Sequence, residues 1–320
     1  MTNLIKLFGG FIMFKKKNFI APLAVILAPT SLSTSSASAE ENNTGSNNLE
    51  RKAVIKSVQI GEQNISYKVR DSVSKAKHPD RTFLLIHGAS ANLLSTDSLA
   101  EELGKKFEKA QIVQIDLPAH GLSKGPVLSS VNDMADVVAE FVEQGREFGD
   151  FANEVVIVGI SMGGSAAQKL AVRNIEGLEK VVLISTSPEW KHFGFLSGYT
   201  GEEFNKMYPG MIEDDYAVNT TPEQQAEFHM WFPNLIPAKE TSLGDIQALI
   251  GFNIVNDLNK ITQKTLIIHG DGDQSAPYAN AQLMASTIKK AKLVTIPGET
   301  HTWSMKQPAK AAELIYDFIK

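Results

Sequence analysis

No cysteine occurs anywhere in the 320 residues. That excludes structural disulfides, a catalytic thiol and a lipid-modified cysteine, so the fold depends on its core alone. Positive charge is also short: 31 lysines and arginines against 36 aspartates and glutamates give a net charge of -5. With no basic stripe, a nucleic-acid partner is not expected. Histidines number seven, and none has the H-E-x-x-H spacing of a zinc site. No metal and no cofactor is expected. The chain also lacks an internal repeat and any apolar run long enough to span a bilayer.

What the chain has begins with ordinary globular composition, 43% hydrophobic and 21% charged residues, which suits one large α/β domain carrying an insertion. The N-terminus reads as an export signal, residues 1–39. Lys15, Lys16 and Lys17 make a basic region, Phe19 to Pro29 a short apolar region, and Ala37-Ser38-Ala39 an A-x-A cleavage site. Cleavage there starts the mature protein at Glu40, for a secreted or cell-envelope location with no stable membrane span. Met13 is an alternative initiator, and an uncleaved anchor that adds Leu7 to Phe14 is the alternative topology. Residues 40–52 are polar and aperiodic, and read as a linker.

From Ala53 onward the pattern is that of a folded domain. Val54 to Ile60 and Ile65 to Val69, with Gly61-Glu62-Gln63-Asn64 between them, predict an antiparallel hairpin. Buried strands then alternate with helices: Phe83 to Ile86, a helix near Leu99 to Lys109, Ile112 to Ile115, a helix near Val131 to Phe148, Val155 to Val158, and Val181 to Ile184. The alternation resumes at Leu266 to His269 and continues to a closing helix over Pro308 to Ile319. It predicts an α/β fold with a doubly wound, mostly parallel sheet, whose core comprises residues 53–187 and 259–320. Residues 188–258 interrupt it. They are rich in aromatic and Met residues among helix formers, and predict an inserted helical cap.

Gly159-Ile160-Ser161-Met162-Gly163 carries the chemistry. It stands between the strand Val155 to Val158 and a helix through Arg173, so it reads as a nucleophile elbow that raises the Ser161 hydroxyl above the sheet. A serine hydroxyl needs a base, and the base an orienting carboxylate. Two later strand ends supply them: the turn Asp271-Gly272-Asp273 after Leu266 to Gly270, and His301 after Leu293 to Ile296. Ligands of open α/β sheets bind at these carboxyl ends.

Four landmarks in order, Leu84 through Ala89, Asp116 through Ser123, Gly159 through Gly164, and Gly270 through Pro277 before His301, resemble those of the α/β-hydrolase superfamily. The resemblance covers residues 53–320 apart from the cap. It implies the catalytic set Ser161, Asp273 and His301, with Asp273 rather than Asp271 as the acid. Backbone N–H groups of Ala89 and Met162 would form the oxyanion hole. Thr300 stands where relatives more often have a small residue, and His-Gly-Ala-Ser departs from the glycine-rich loop of one lipase branch. His87 and His120 are expected to brace loops, and His269 to lie behind the acid turn.

These residues predict a serine hydrolase that cleaves a carboxylic ester or similar small acyl substrate through an acyl-enzyme. Phe228, Met230, Trp231 and Phe232 of the cap are candidate substrate contacts. A perhydrolase or haloperoxidase-like enzyme and a lactone hydrolase are the alternatives on the same site. A catalytically idle binding protein is the alternative from another class.

Overall fold

The computed structural model describes residues 53–72, 79–147, 149 and 151–320. The expected signal, the linker up to Lys52, and His78 lie outside the described residues. Strands β1 (Ala53–Ile60) and β2 (Gln63–Arg70) form the antiparallel hairpin, with Ile60 opposite Gln63. The turn is only Gly61-Glu62, shorter than expected. Gly61 at φ 53° supplies the left-handed backbone that so tight a connection favours.

The chain then runs β3 (Thr82–Ile86), α1 (Asp97–Lys106), β4 (Gln111–Ile115), α2 (Val131–Glu147), β5 (Val155–Ile160), α3 (Met162–Arg173) and β6 (Leu178–Ile184). Beyond the insertion follow β7 (Lys264–Gly270), α7 (Tyr278–Thr287), β8 (Ala291–Ile296), the single turn α8 (Trp303–Lys306) and α9 (Pro308–Ile319). One sheet takes all the strands in the order β1-β2-β4-β3-β5-β6-β7-β8. Pairing is parallel from β4 to β8, and β1 and β2 add an antiparallel edge.

Period-two alternation along the central strands explains the two cores. Leu84 and Ile86 of β3 face the layer of α2, α3 and α7, whereas Phe83 and Leu85 face α1 and α9. Both faces are covered, so these strands read as continuous apolar runs. Helix α2 shows the matching helical period, burying Val131, Met134, Ala135, Val138, Phe141 and Val142.

Between β6 and β7 the chain leaves the sheet and builds helices. A 3₁₀ segment at Lys191–Gly198 leads into α4 (Gly201–Ala217), α5 (Pro222–Trp231) and α6 (Lys239–Gly251). Capping boxes start α4 at Thr200 with Glu203 and α5 at Thr221 with Gln224. Exit and return meet where Glu189 bridges Asn253 and the N–H of Ile254 donates to the carbonyl of Pro188 at 2.9 Å. Tyr216, Phe228, Phe232 and Leu235 give the insertion its own small core, with Tyr216 stacked on Phe228 at 4.0 Å. Among the described residues no helix is long and apolar enough to cross a membrane.

Candidate active site

Sequence chemistry fixes the elbow between β5 and α3. A Cβ at Gly159 would strike the carbonyl of Gly163, and one at Gly163 would strike that of Ile86, so close backbone approach demands glycine at both places. Ser161 itself adopts φ 53°, a left-handed backbone that costs a non-glycine residue on the order of 1 kcal/mol or more. Surrounding bonds hold it there. Its N–H donates to Ile184 at 3.0 Å, and its carbonyl accepts the Thr186 hydroxyl at 2.6 Å.

The three side chains expected to act together do meet, although they come from three separate loops. His301 Nε2 lies 3.0 Å from Ser161 Oγ, and His301 Nδ1 lies 2.8 Å from Asp273 Oδ2. Asp273 Oδ1 accepts the N–H groups of Ser275 and Ala276 at 2.9 and 2.8 Å. His269 Nε2 donates to the carbonyl of Ala276 at 2.7 Å and lies 3.3 Å from Asp273 Oδ2, behind the acid turn as expected. Asp271 has a different task, accepting the N–H of Gly298 at 2.6 Å to join the two loops.

Electrostatics follow from these contacts. Burial alone would raise the Asp273 carboxyl, but the charge of His301 and hydrogen bonds from His269 and His301 hold it well below the usual range. For His301, burial works against the charged ring. The charge and hydrogen bond of Asp273, with the charge of Asp215 added, nevertheless lift it above its ordinary value.

Gly88 brings the loop of Ala89 against the elbow, for a Cβ there would stand 3.1 Å from that of Ser161. Met162 opens α3, where the first N–H groups have no partner within the helix. His87 accepts the N–H of Leu117 on Nε2 at 3.1 Å and faces the carbonyl of Gly88 through Nδ1 at 2.7 Å. Burial and neighbouring His120 push it down to about 3, so it is a neutral brace. In His120 both ring nitrogens face acceptors, the carbonyl of Pro118 and Asp245 Oδ2, each at 2.9 Å. Burial opposes its charge, yet Asp245 raises it above the ordinary value, leaving a buried ion pair.

A cavity of about 120 Å³ opens on Ser161 and His301. Its apolar wall includes Phe193, Leu196, Phe204, Met211, Phe232 and Met305, and among the described residues no lysine, arginine or carboxylate lines it. Of the four cap residues expected to contact substrate, only Phe232 is on that wall. Phe228 is buried in the insertion's own core, Trp231 packs against that core, and Met230 points outward, 75% exposed. Helical geometry is the reason: Phe228, Trp231 and Phe232 share one side of the turn, while Met230 lies about 200° from Phe228.

Sequence reading missed Tyr208, Asp215 and Asp245, which join the insertion to the loops of the site. Tyr208 donates its hydroxyl to the carbonyl of Ala89 at 3.2 Å. Asp245 accepts the N–H of Ser90 at 2.6 Å as well as His120. Signals existed for both acids. Asp245 sits among the buried positions of α6, and Asp215 lies in the last turn of α4, where a negative charge opposes the helix dipole. Among the described residues, no group of three or more His, Asp or Glu side chains is placed to hold a metal ion.

Comparison with known proteins extends these findings. The chain is 25% identical over 228 residues to the pimeloyl-[acyl-carrier protein] methyl ester esterase of Nitrosomonas europaea, covering 67% of this chain and 86% of that protein. Its fold is similar to that of the enol-lactonase of Burkholderia xenovorans, with a TM-score of 0.71 at 16% identity over 82% of this chain and 99% of that one. An esterase from Exiguobacterium antarcticum gives a TM-score of 0.69 at 21% identity, covering 80% and 96%. The model of the α/β hydrolase family matches residues 83–314, and the chain belongs to that family.

Proposed function

We propose that this protein is a serine esterase that cleaves neutral, compact acyl esters through an acyl-enzyme. The observation that carries this reading is the hydrogen-bonded line Ser161–His301–Asp273 on the wall of an apolar cavity. The esterase relative supports the ester chemistry. In the first half-reaction His301 Nε2 takes the hydroxyl proton as Ser161 Oγ bonds to the carbonyl carbon, and the carbonyl oxygen becomes an oxyanion facing the N–H groups of Ala89 and Met162. Collapse breaks the ester bond, and His301 returns the proton to the departing alcohol. Water then repeats the sequence on the acyl-enzyme, releasing the acid and restoring Ser161. Asp273 keeps Nδ1 protonated and stabilises the imidazolium throughout.

Cavity size and lining narrow the substrate. About 120 Å³ is a little less than the ~150 Å³ that holds a benzene ring, so an acyl group of about six carbons or fewer suits it. The helical insertion serves as a cap over this group. Export, with cleavage between Ala39 and Glu40, completes the proposal, and N-terminal sequencing of secreted material should start at Glu40. The catalytic reading is tested with a fluorophosphonate probe and a panel of acyl esters, lactones and peroxide. Wild-type protein should be labelled and should hydrolyse short esters, and Ser161→Ala should lose both. Labelling of the variant, or none of the wild type, would overturn the reading; faster lactone opening or peracid formation would replace the esterase.

A further inference from the structure

Tyr208 and Asp215 lie seven residues apart in α4, a spacing that puts both on one side of the helix. From that side α4 touches both loops that flank Ser161. Tyr208 reaches the carbonyl of Ala89, as described. At the other loop Asp215 accepts the N–H of His301 at 3.1 Å on one carboxylate oxygen and the N–H of Thr302 at 2.8 Å on the other. Its backbone carbonyl accepts the hydroxyl of Thr300 at 3.0 Å. Three consecutive residues, with His301 in the middle, therefore hang on one aspartate of the insertion.

We propose that Asp215 is the positioning residue for His301, so that α4 of the insertion fixes the candidate base on Ser161 through the backbone of residues 300 to 302. This inference rests on the serine esterase reading. The position is otherwise a poor one for an acid, because the last turn of a helix favours cations, and the N–H groups of His301 and Thr302 offset that cost. Thr300 becomes intelligible too. Its hydroxyl bonds α4 on one side and accepts from Lys306 Nζ at 3.1 Å on the other. Phe204, Tyr208, Met211 and Ile212 of the same helix line the cavity, so the wall that meets an acyl group and the clamp on the base are one element.

The carboxylate also acts through its charge. Groups facing His301 are Asp273 with His269 behind it, Ser161 on the elbow, and Asp215 on α4, with Tyr208 on the shared cavity wall. Beyond the loop stands the buried Glu299–Lys306 ion pair at 2.7 Å. Asp215 adds to the rise that Asp273 causes in His301. Loss of its charge must therefore make the imidazole less basic.

Asp215→Asn and Asp215→Ala in the full chain, assayed with p-nitrophenyl butyrate across pH 5 to 9, test the proposal. The alanine variant should lose on the order of 10- to 100-fold in kcat, with KM changed by less than about threefold. The asparagine variant can still accept one N–H and should keep more of kcat, and its acidic limb of kcat/KM should move to lower pH. Both should still be labelled at Ser161 by fluorophosphonate, only more slowly. Unchanged kcat and an unmoved limb in the asparagine variant would overturn the role of Asp215. So would activity lost only in proportion to thermal stability with the limb unmoved. Failure of the esterase reading looks different, since there Ser161→Ala keeps its label or the wild type takes none.

Discussion

Asp271 and Asp273 stand two residues apart in one turn, yet their surroundings divide them. Asp273 is buried against two histidines and two N–H groups, while exposed Asp271 ties its turn to Gly298. Asp273→Asn should lower kcat by a factor on the order of 10⁴, because an amide holds the imidazole in the wrong tautomer. Asp271→Asn retains an acceptor for Gly298 and should stay within about threefold of wild type. Steady-state kinetics of both variants check this, and the reverse ranking would reassign the acid. In the proposed mechanism His301 supplies the pH dependence. Its charged form is favoured above the ordinary imidazole value of 6.5, and a base must be neutral, so kcat/KM should rise with a midpoint above pH 6.5. A profile that is flat from pH 6 to 8.5 would remove the histidine base. Residues of this kind were legible in the sequence because each sits at a strand end next to its own motif. Asp215 was missed, since its hydrogen bond to His301 spans 86 positions and the local pattern marks it only as an acid in the last turn of a helix, without naming its partner.

At the scale of elements, the sheet and its flanking helices were legible for the same local reason: apolar runs of period two and helical stripes of period 3.6 are written residue by residue. Boundaries moved a little, as with α1, which ends at Lys106 rather than near Lys109. The insertion was readable as helical but its orientation was not, because aromatic richness does not say which side faces the cavity and which the insertion's own core. Spacing alone could have set Met230 apart from Phe228 and Phe232. The attachment of α6 is the clearest nonlocal feature, with Asp245 reaching His120 and Ser90 across 125 and 155 positions. It carries a stability prediction. Asp245→Asn removes the main charge that favours a protonated His120 against its burial and should cost about 3 kcal/mol at pH 6. Because folding raises His120, the pair's stabilisation is complete below the unfolded value of about 6.5 and is lost as pH rises through the folded value. Denaturant unfolding of wild type and variant should therefore show a gap that narrows from pH 6 towards pH 9. A gap that stays constant would mean that His120 is neutral in the fold.

Charge is distributed unevenly over the whole molecule, and this bears on what can enter. Residues 188–258 hold eleven carboxylates against three lysines, a net charge of -8 in a chain whose total is -5. The helices over the sheet's carboxyl ends therefore present a negative field to anything that approaches, and among the described residues no lysine or arginine lines the cavity wall to pair with an anion. A carboxylate on the acyl group would meet both penalties. Desolvating an unpaired charge costs several kcal/mol, and each ~1.4 kcal/mol is a factor of ten. Between p-nitrophenyl butyrate and p-nitrophenyl hemisuccinate, which share a four-carbon acyl chain and differ by one carboxylate, kcat/KM should fall by about 100-fold or more. Raising the salt concentration from about 0.05 to 0.5 M should recover only the part due to the long-range field, since screening acts on exposed charges and little on buried ones. Comparable rates on the two esters at low salt would show that the site accepts an anion, and would overturn the neutral-substrate reading drawn from its lining.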